Sequence, residues 1–331
     1  MMNRIFYYVI FLLLISLVSN GQELFEEIND QFVQQIESTY QKGVNFLAKT
    51  QNDQGSWDDS SYGSQPGVIG MSILAFLARG DDPEFGPHRK SITKALNYLL
   101  KLQDQKTGYI GSSMYNHGFA TLALAEIYGR TNIQGIGPAL EKATRLIITS
   151  QKNNPKGAWR YSPESTDADT TVSGAQMLAL FAARNAGIFV PNEAIEKGKA
   201  FFLSCQDSNG GFGYTGSTGA NLPRSSIGCL ILSLAKSTDS KAYQKSVDFL
   251  NQNASFGDQG HKFYSLYYTS QAIFRANQNL WVSWNFQNFK QLKSSQTQEG
   301  GWNGNYGTTF STSAALLSLA LNYRYLPIYE R

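Results

Sequence analysis

Five segments of the chain repeat one pattern: a Gln, a short spacer, a Gly and an aromatic residue. They run from Gln51 to Trp57, Gln103 to Tyr109, Gln151 to Trp159, Gln206 to Phe212 and Gln296 to Trp302. Between the last two, Phe249-Leu250-Asn251-Gln252 keeps the approach and the Gln but lacks the Gly-aromatic part. Counting that degenerate copy, the six Gln positions are separated by 44 to 55 residues. Self-similarity at such a period signals one supersecondary unit stacked on copies of itself.

Each Gln follows a stretch with helical period, as in Ile92, Ala95, Leu96, Leu99 and Leu100, or Leu140, Ala143, Leu146 and Ile147. Apolar residues at that spacing mark a helix with one wet face. Each turn is followed by a drier helix rich in small residues, such as GFATLALAEIY from Gly118, SGAQMLALFAA from Ser173 and STSAALLSLALNY from Ser311. A helix apolar nearly all round must be buried between neighbours. The unit is thus a wet outer helix, a turn and a dry inner helix. The last inner helix is as apolar as the middle ones, so an open array would leave a dry face exposed. Closing six hairpins into a ring covers every dry face. The expected fold is all-α, a single (α/α)6 toroid over residues 22–331 with no internal domain boundary.

Composition narrows the function. Lys+Arg is 28 and Asp+Glu is 25, so no basic stripe points to nucleic acid. Two cysteines, Cys205 and Cys229, and three histidines, His88, His117 and His261, exclude a disulfide framework and a Cys-rich zinc module. The cysteines read as small core residues. Neither a metal nor a cofactor is expected.

The N-terminus reads as an export signal over residues 1–21. Arg4 supplies the charge, Ile5 to Val18 the short apolar run, and Ser19-Asn20-Gly21 a cleavage site before Gln22. After it no apolar run of 18 residues remains, so no transmembrane segment is expected. In a bacterium the protein would be periplasmic or extracellular.

The Gln-to-Trp turns resemble the QW motif of squalene–hopene and oxidosqualene cyclases, and more distantly the repeat of protein prenyltransferase β subunits. The stretches 157–191, GGFGY (210–214), FYSLYYTSQAIF (263–274) and LWVSWN (280–285) are similar to secreted bacterial proteins with squalene cyclase/prenyltransferase repeats. This resemblance covers the mature chain and implies the terpenoid cyclase-like toroid. It also implies that the turn residues are structural, the Gln amide tying to helix ends and the aromatic packing on the next turn.

In such a ring the inner helices begin on one face, and polar residues there are site candidates. They are Tyr115, Asn116, His117, Asp167, Asp169, Thr170, Thr171, Arg224, Tyr264, Tyr267, Tyr268, Thr308 and Thr309. The run Asp167-Ala168-Asp169-Thr170-Thr171 resembles the acidic motif with which class II terpene cyclases protonate an alkene. There Asp169 would be the acid and Asp167 its partner, working as a neutral carboxylic acid in a dry aromatic pocket. The competing expectation is that Asp169 or Thr170 caps the inner helix. Large triterpene cyclases enclose their substrate between two toroids. A single toroid leaves its mouth open unless a partner closes it. The prenyltransferase zinc ligands have no counterpart, since Ser265 stands where that family has His. A glycosidase would need two carboxylates, for which Asp58, Asp59, Asp167 and Asp169 are available.

The leading reading is therefore an exported, metal-free toroid whose mouth binds an elongated, isoprenoid-like apolar ligand or a partner segment. Tyr115, His117, Thr170, Arg224, Tyr264, Tyr267 and Tyr268 are the expected ligand contacts. The alternative is a class II squalene or polyprenyl cyclase using Asp169, and a lower one is a carbohydrate-active toroid.

Overall fold

The computed structural model describes residues 30–59, 62–256 and 260–330; the expected signal over residues 1–21 lies outside them. The described residues form twelve α-helices, two short 3-10 helices near the end and no β-strand. A helix over residues 30–50 (α1) is followed by α2 (Pro66–Leu77), α3 (Arg89–Lys101), α4 (Met114–Ile127), α5 (Ile136–Asn153) and α6 (Thr170–Asn185). Then come α7 (Asn192–Ser204), α8 (Leu222–Leu234), α9 (Lys241–Asn253), α10 (Lys262–Ala276), α11 (Gln278–Ser295) and α12 (Thr308–Leu319). The even helices are the inner ones. All of α2 is buried, and in α4 only Tyr115 and Asn116 are less than fully so. The odd helices bury one stripe, as α3 does with Ile92, Ala95, Leu96 and Leu99.

Each inner helix packs on the next, and α12 returns to α2, so the ring closes. The closing seam carries a Ser72–Ser313 hydroxyl pair at 2.9 Å. Close approach needs small residues: a Cβ on Gly70 of α2 would sit 2.6 Å from the Phe119 carbonyl of α4. The architecture is the expected (α/α)6 toroid.

The turn glutamines join consecutive hairpins. Gln51 Nε2 donates to the Gly55 carbonyl of its own turn at 3.1 Å and to the Ser91 carbonyl in the first turn of α3 at 3.0 Å. Gln103 does the same to Gly108 and Ala139, Gln151 to Gly157 and Ala194, and Gln206 to Gly210 and Ala242. Gln296 donates to Gly300 and, across the seam, to Thr39 of α1 at 2.9 Å. The turn glycine touches that same neighbouring helix. At Gly55 (φ +99°) a Cβ would lie 2.2 Å from the Lys94 carbonyl. Only glycine fits both the dihedral and the space.

The aromatic residues also fasten each turn to the helix before it. The Trp57, Trp159 and Trp302 indoles donate back to Leu47, Ile147 and Leu292 of their own outer helices, at 2.8–2.9 Å. In the second turn the core position is Ile110 rather than Tyr109. The buried residue stands two places after the turn glycine in every copy, and Gly108 puts Ile110 there. Cys205 and Cys229 are buried and unbridged.

Gln151→Ala removes both bonds of one tie and should destabilise the protein by about 1–3 kcal/mol. Gln252 is exposed at the end of α9, so Gln252→Ala should leave stability unchanged. Thermal melts of the two variants compare these outcomes directly.

Candidate functional site

Because the inner helices run parallel, their N-termini surround one opening. A cavity of about 620 Å³ lies there, within the range of small-molecule pockets. The inner helices supply Val68 and Met71 from α2, Tyr115, Asn116 and Phe119 from α4, Thr171 from α6, Arg224 from α8, Tyr264 from α10 and Phe310 from α12. The preceding loops supply Tyr62, Tyr161, Tyr214, His261 and Tyr306. Aromatic faces therefore dominate the wall, and no Asp or Glu belongs to it among the described residues.

The opposite end of the ring is plugged. Phe119 meets Tyr267 with ring centroids 5.8 Å apart, and Tyr267 meets Tyr268 at 4.8 Å. Below these rings the C-terminal turn Pro327–Tyr329 packs on α6 and buries Tyr329. Arg275 of α10 holds the Ile328 carbonyl at 2.6 Å. Glu126, in the last turn of α4, lies beside the Ile328 backbone. Burial pushes the Glu126 carboxyl up to about 8. The toroid is thus a cup with a sealed base.

The sequence-derived candidates divide accordingly. Tyr115, Asn116, Thr171, Arg224 and Tyr264 line the cavity. Tyr115 and Tyr264, from opposite inner helices, share a hydroxyl–hydroxyl bond of 3.0 Å. Tyr267 and Tyr268 form the packed base instead. Thr170 is fully buried, with its hydroxyl donating to the Gly213 carbonyl at 2.8 Å.

His117 is also sealed in the core. Its Nδ1 accepts from the Ile110 N–H and its Nε2 donates to the Ala143 carbonyl, both at 3.1 Å. Burial pulls its pKa down to about 4, so it stays neutral. In three other turns a hydroxyl of Ser173, Ser225 or Thr312 accepts the same backbone N–H. His117 replaces that hydroxyl and does not reach the cavity.

Asp169 is the N-cap of α6. Its Oδ1 accepts from the Thr171 and Val172 N–H groups, each at 2.8 Å, and from the Thr171 hydroxyl at 2.6 Å. Its Oδ2 faces Arg160 Nε at 3.2 Å, and Arg160 Nη1 also meets Asp167 at 2.6 Å. Burial raises the Asp169 pKa against the pull of these donors. The side chain is completely buried and is not part of the cavity wall. Asp59 plays a similar part at α12, accepting from the Thr309 N–H at 2.9 Å. Among the described residues no group of three His, Cys, Asp or Glu could hold a metal ion. No described helix is long and apolar enough to cross a membrane.

Sequence reading missed Phe119, Phe310, His261 and the loop tyrosines. A signal existed for the last: Tyr161 and Tyr214 each stand two residues after the buried turn aromatic, Trp159 or Phe212.

Two outcomes follow. Asp169→Ala should lower stability by about 1–2 kcal/mol through loss of the cap, with Asp169→Asn keeping most of it. Folded Glu126 keeps its proton up to about pH 8, whereas the unfolded chain releases it near 4.5. Its contribution to stability therefore falls as pH rises across that window. Glu126→Gln should melt above the parent at pH 8.5 and close to it at pH 5.

No curated protein matches the chain. Among solved structures it is similar to the type II terpene cyclase MstE from Scytonema. The TM-score is 0.61 at 16% identity, over 88% of this chain and 99% of that one. Variants of that enzyme are known with its substrate geranylgeranyl dihydroxybenzoate and its product merosterolic acid A. It is also similar to the GH76A α-1,6-mannanase from Salegentibacter sp. HEL1_6, with TM-score 0.64 at 10% identity over 86% of this chain and 98% of that one. At these identities the likeness concerns the fold. Residues 37–329 match the model of a family described as a domain of unknown function, DUF6288, and the chain belongs to that family.

Proposed function

We propose that the protein is a binding cup for an elongated apolar ligand of the isoprenoid class. One observation carries this reading: the cavity is walled by eight Phe and Tyr rings with no carboxylate among them. Such a wall removes apolar surface from water and offers π faces, which suits a polyene chain. It supplies no acid of its own to protonate an alkene and no carboxylate pair to hydrolyse a glycoside. Asp169, the acid of the cyclase alternative, is engaged as a cap, and both it and its partner Asp167 are paired with Arg160. The terpene cyclase of the same fold takes a geranylgeranyl-bearing substrate, which supports the choice of ligand class. Export through the signal expected at residues 1–21 would place this cup outside the cytoplasm.

Titration with retinol, followed by quenching of protein fluorescence, tests the reading. Saturable one-to-one binding is expected. Val68→Trp, which fills the cavity from α2, should weaken it at least ten-fold with little change in melting temperature. Retinol binding that ignores this substitution, or failure to bind alongside capture of mannooligosaccharides, would overturn the proposal in favour of a carbohydrate site.

A further inference from the structure

We infer that the ligand carries an anionic head group, a carboxylate or a phosphate monoester, which Arg224 receives at the mouth of the cup. This inference rests on the binding-cup reading and adds the chemistry of the ligand's polar end.

Arg224 stands in the first turn of α8 and belongs to the cavity wall. Its guanidinium is fixed by neutral groups. Nε donates to the Asn221 side-chain oxygen at 3.0 Å and Nη2 to the Gly219 carbonyl at 2.6 Å. The group also lies over the Tyr214 ring, 5.8 Å from its centroid. Asn221 thereby does two things, capping α8 through the Arg224 N–H and aligning the Arg224 side chain.

No carboxylate lies within ion-pair distance of this arginine among the described residues. Two other arginines of the fold are neutralised: Arg79 meets Glu37 at 2.6 Å, and Arg160 meets both Asp167 and Asp169. Arg224 is held by these contacts beside an aromatic cavity, with no carboxylate against it among the described residues. Pre-ordering of this kind lowers the entropic cost of binding an anion. A planar guanidinium fork matches the paired oxygens of a carboxylate or phosphate.

The surroundings favour the same sign. Six inner helices direct the positive ends of their dipoles at the opening. Asp59 and Asp169, two aspartates at those ends, are occupied by backbone N–H groups of α12 and α6 and stay outside the wall. A cationic ligand would meet Arg224 with nothing to offset it. A neutral one would leave the guanidinium half-covered and without a counter-charge.

The experiment compares matched neutral and anionic ligands on the purified protein: retinol with retinoic acid, and farnesol with farnesyl monophosphate. Each anion should bind roughly ten-fold or more tightly than its alcohol. Arg224→Gln should abolish that preference, weakening each anion at least ten-fold more than its alcohol, whereas Arg224→Lys should keep part of it. The larger anion-over-alcohol ratio of the two pairs identifies carboxylate or phosphate as the natural head group. Equal affinity for alcohol and anion in the parent protein would overturn the inference while leaving the binding cup intact. So would an Arg224→Gln variant that loses alcohols and anions alike, since Arg224 would then act by packing on Tyr214. If none of the four ligands binds, the cup itself fails and the head-group assignment fails with it.

Discussion

The fold depends on a side-chain amide with two donors. A turn glutamine spends one N–H on the carbonyl of its own turn glycine and the other on the first turn of the following outer helix. Its near relatives do not do both from this position: Asn is shorter, and Glu brings no donor. The tie fastens hairpin to hairpin, and the last one, from Gln296 to Thr39, fastens the end of the ring to its beginning. Where the motif decays, at Gln252, other contacts take over. Phe256 stacks on Trp284, with centroids 5.4 Å apart, and Asn285 and Asn288 of α11 bond to Asn322 and Ser318.

A closed ring of parallel inner helices has two unlike ends. The C-terminal ends gather carbonyls, and here they are covered by the chain's own last residues, with Tyr329 buried beneath Tyr267 and Phe119. The N-terminal ends gather N–H groups, and there the loops are longer and rich in tyrosine. The polarity of the helices therefore selects the open face. Small residues let the helices approach closely, and the cavity opens at the mouth, where Tyr115, Tyr161, Tyr214 and Tyr264 line it.

Most of this architecture was legible in the sequence, because the period, the alternation of wet and dry helices and the missing caps all lead to a ring. The site was legible only in part. Tyr115, Arg224 and Tyr264 were found from helix starts, and they line the cavity. Tyr267 and Tyr268 were not separable from Tyr264 by sequence, since a helix places all three near the axis and only depth distinguishes wall from base. Tyr109 looked like the core residue because it is aromatic, yet the turn counts from its left-handed glycine and puts Ile110 in the core. A further mark went unread. A lysine of the next outer helix lies against the turn glycine five times, at Lys42, Lys94, Lys142, Lys197 and Lys245, three residues beyond the Gln acceptor.

The acidic run at 167–169 shows why a short motif cannot decide between structure and chemistry. An aspartate before a helix is a cap by default, because two backbone N–H groups lie within its reach. To become an acid it must lose those partners, keep a proton and face a substrate. Asp169 has its pKa raised by burial, which favours the second condition. It fails the others: Oδ1 is occupied three times, Arg160 stands against Oδ2, and the residue of α6 that reaches the cavity is Thr171. Arg160 comes from the loop nine residues upstream, after the Trp159 that fixes the turn. The same repeat that builds the ring therefore delivers the cation that ties up this carboxylate. The charge that faces the cavity is that of Arg224, which has no such partner among the described residues, so the polarity of the cup is set by an arginine and not by the aspartates.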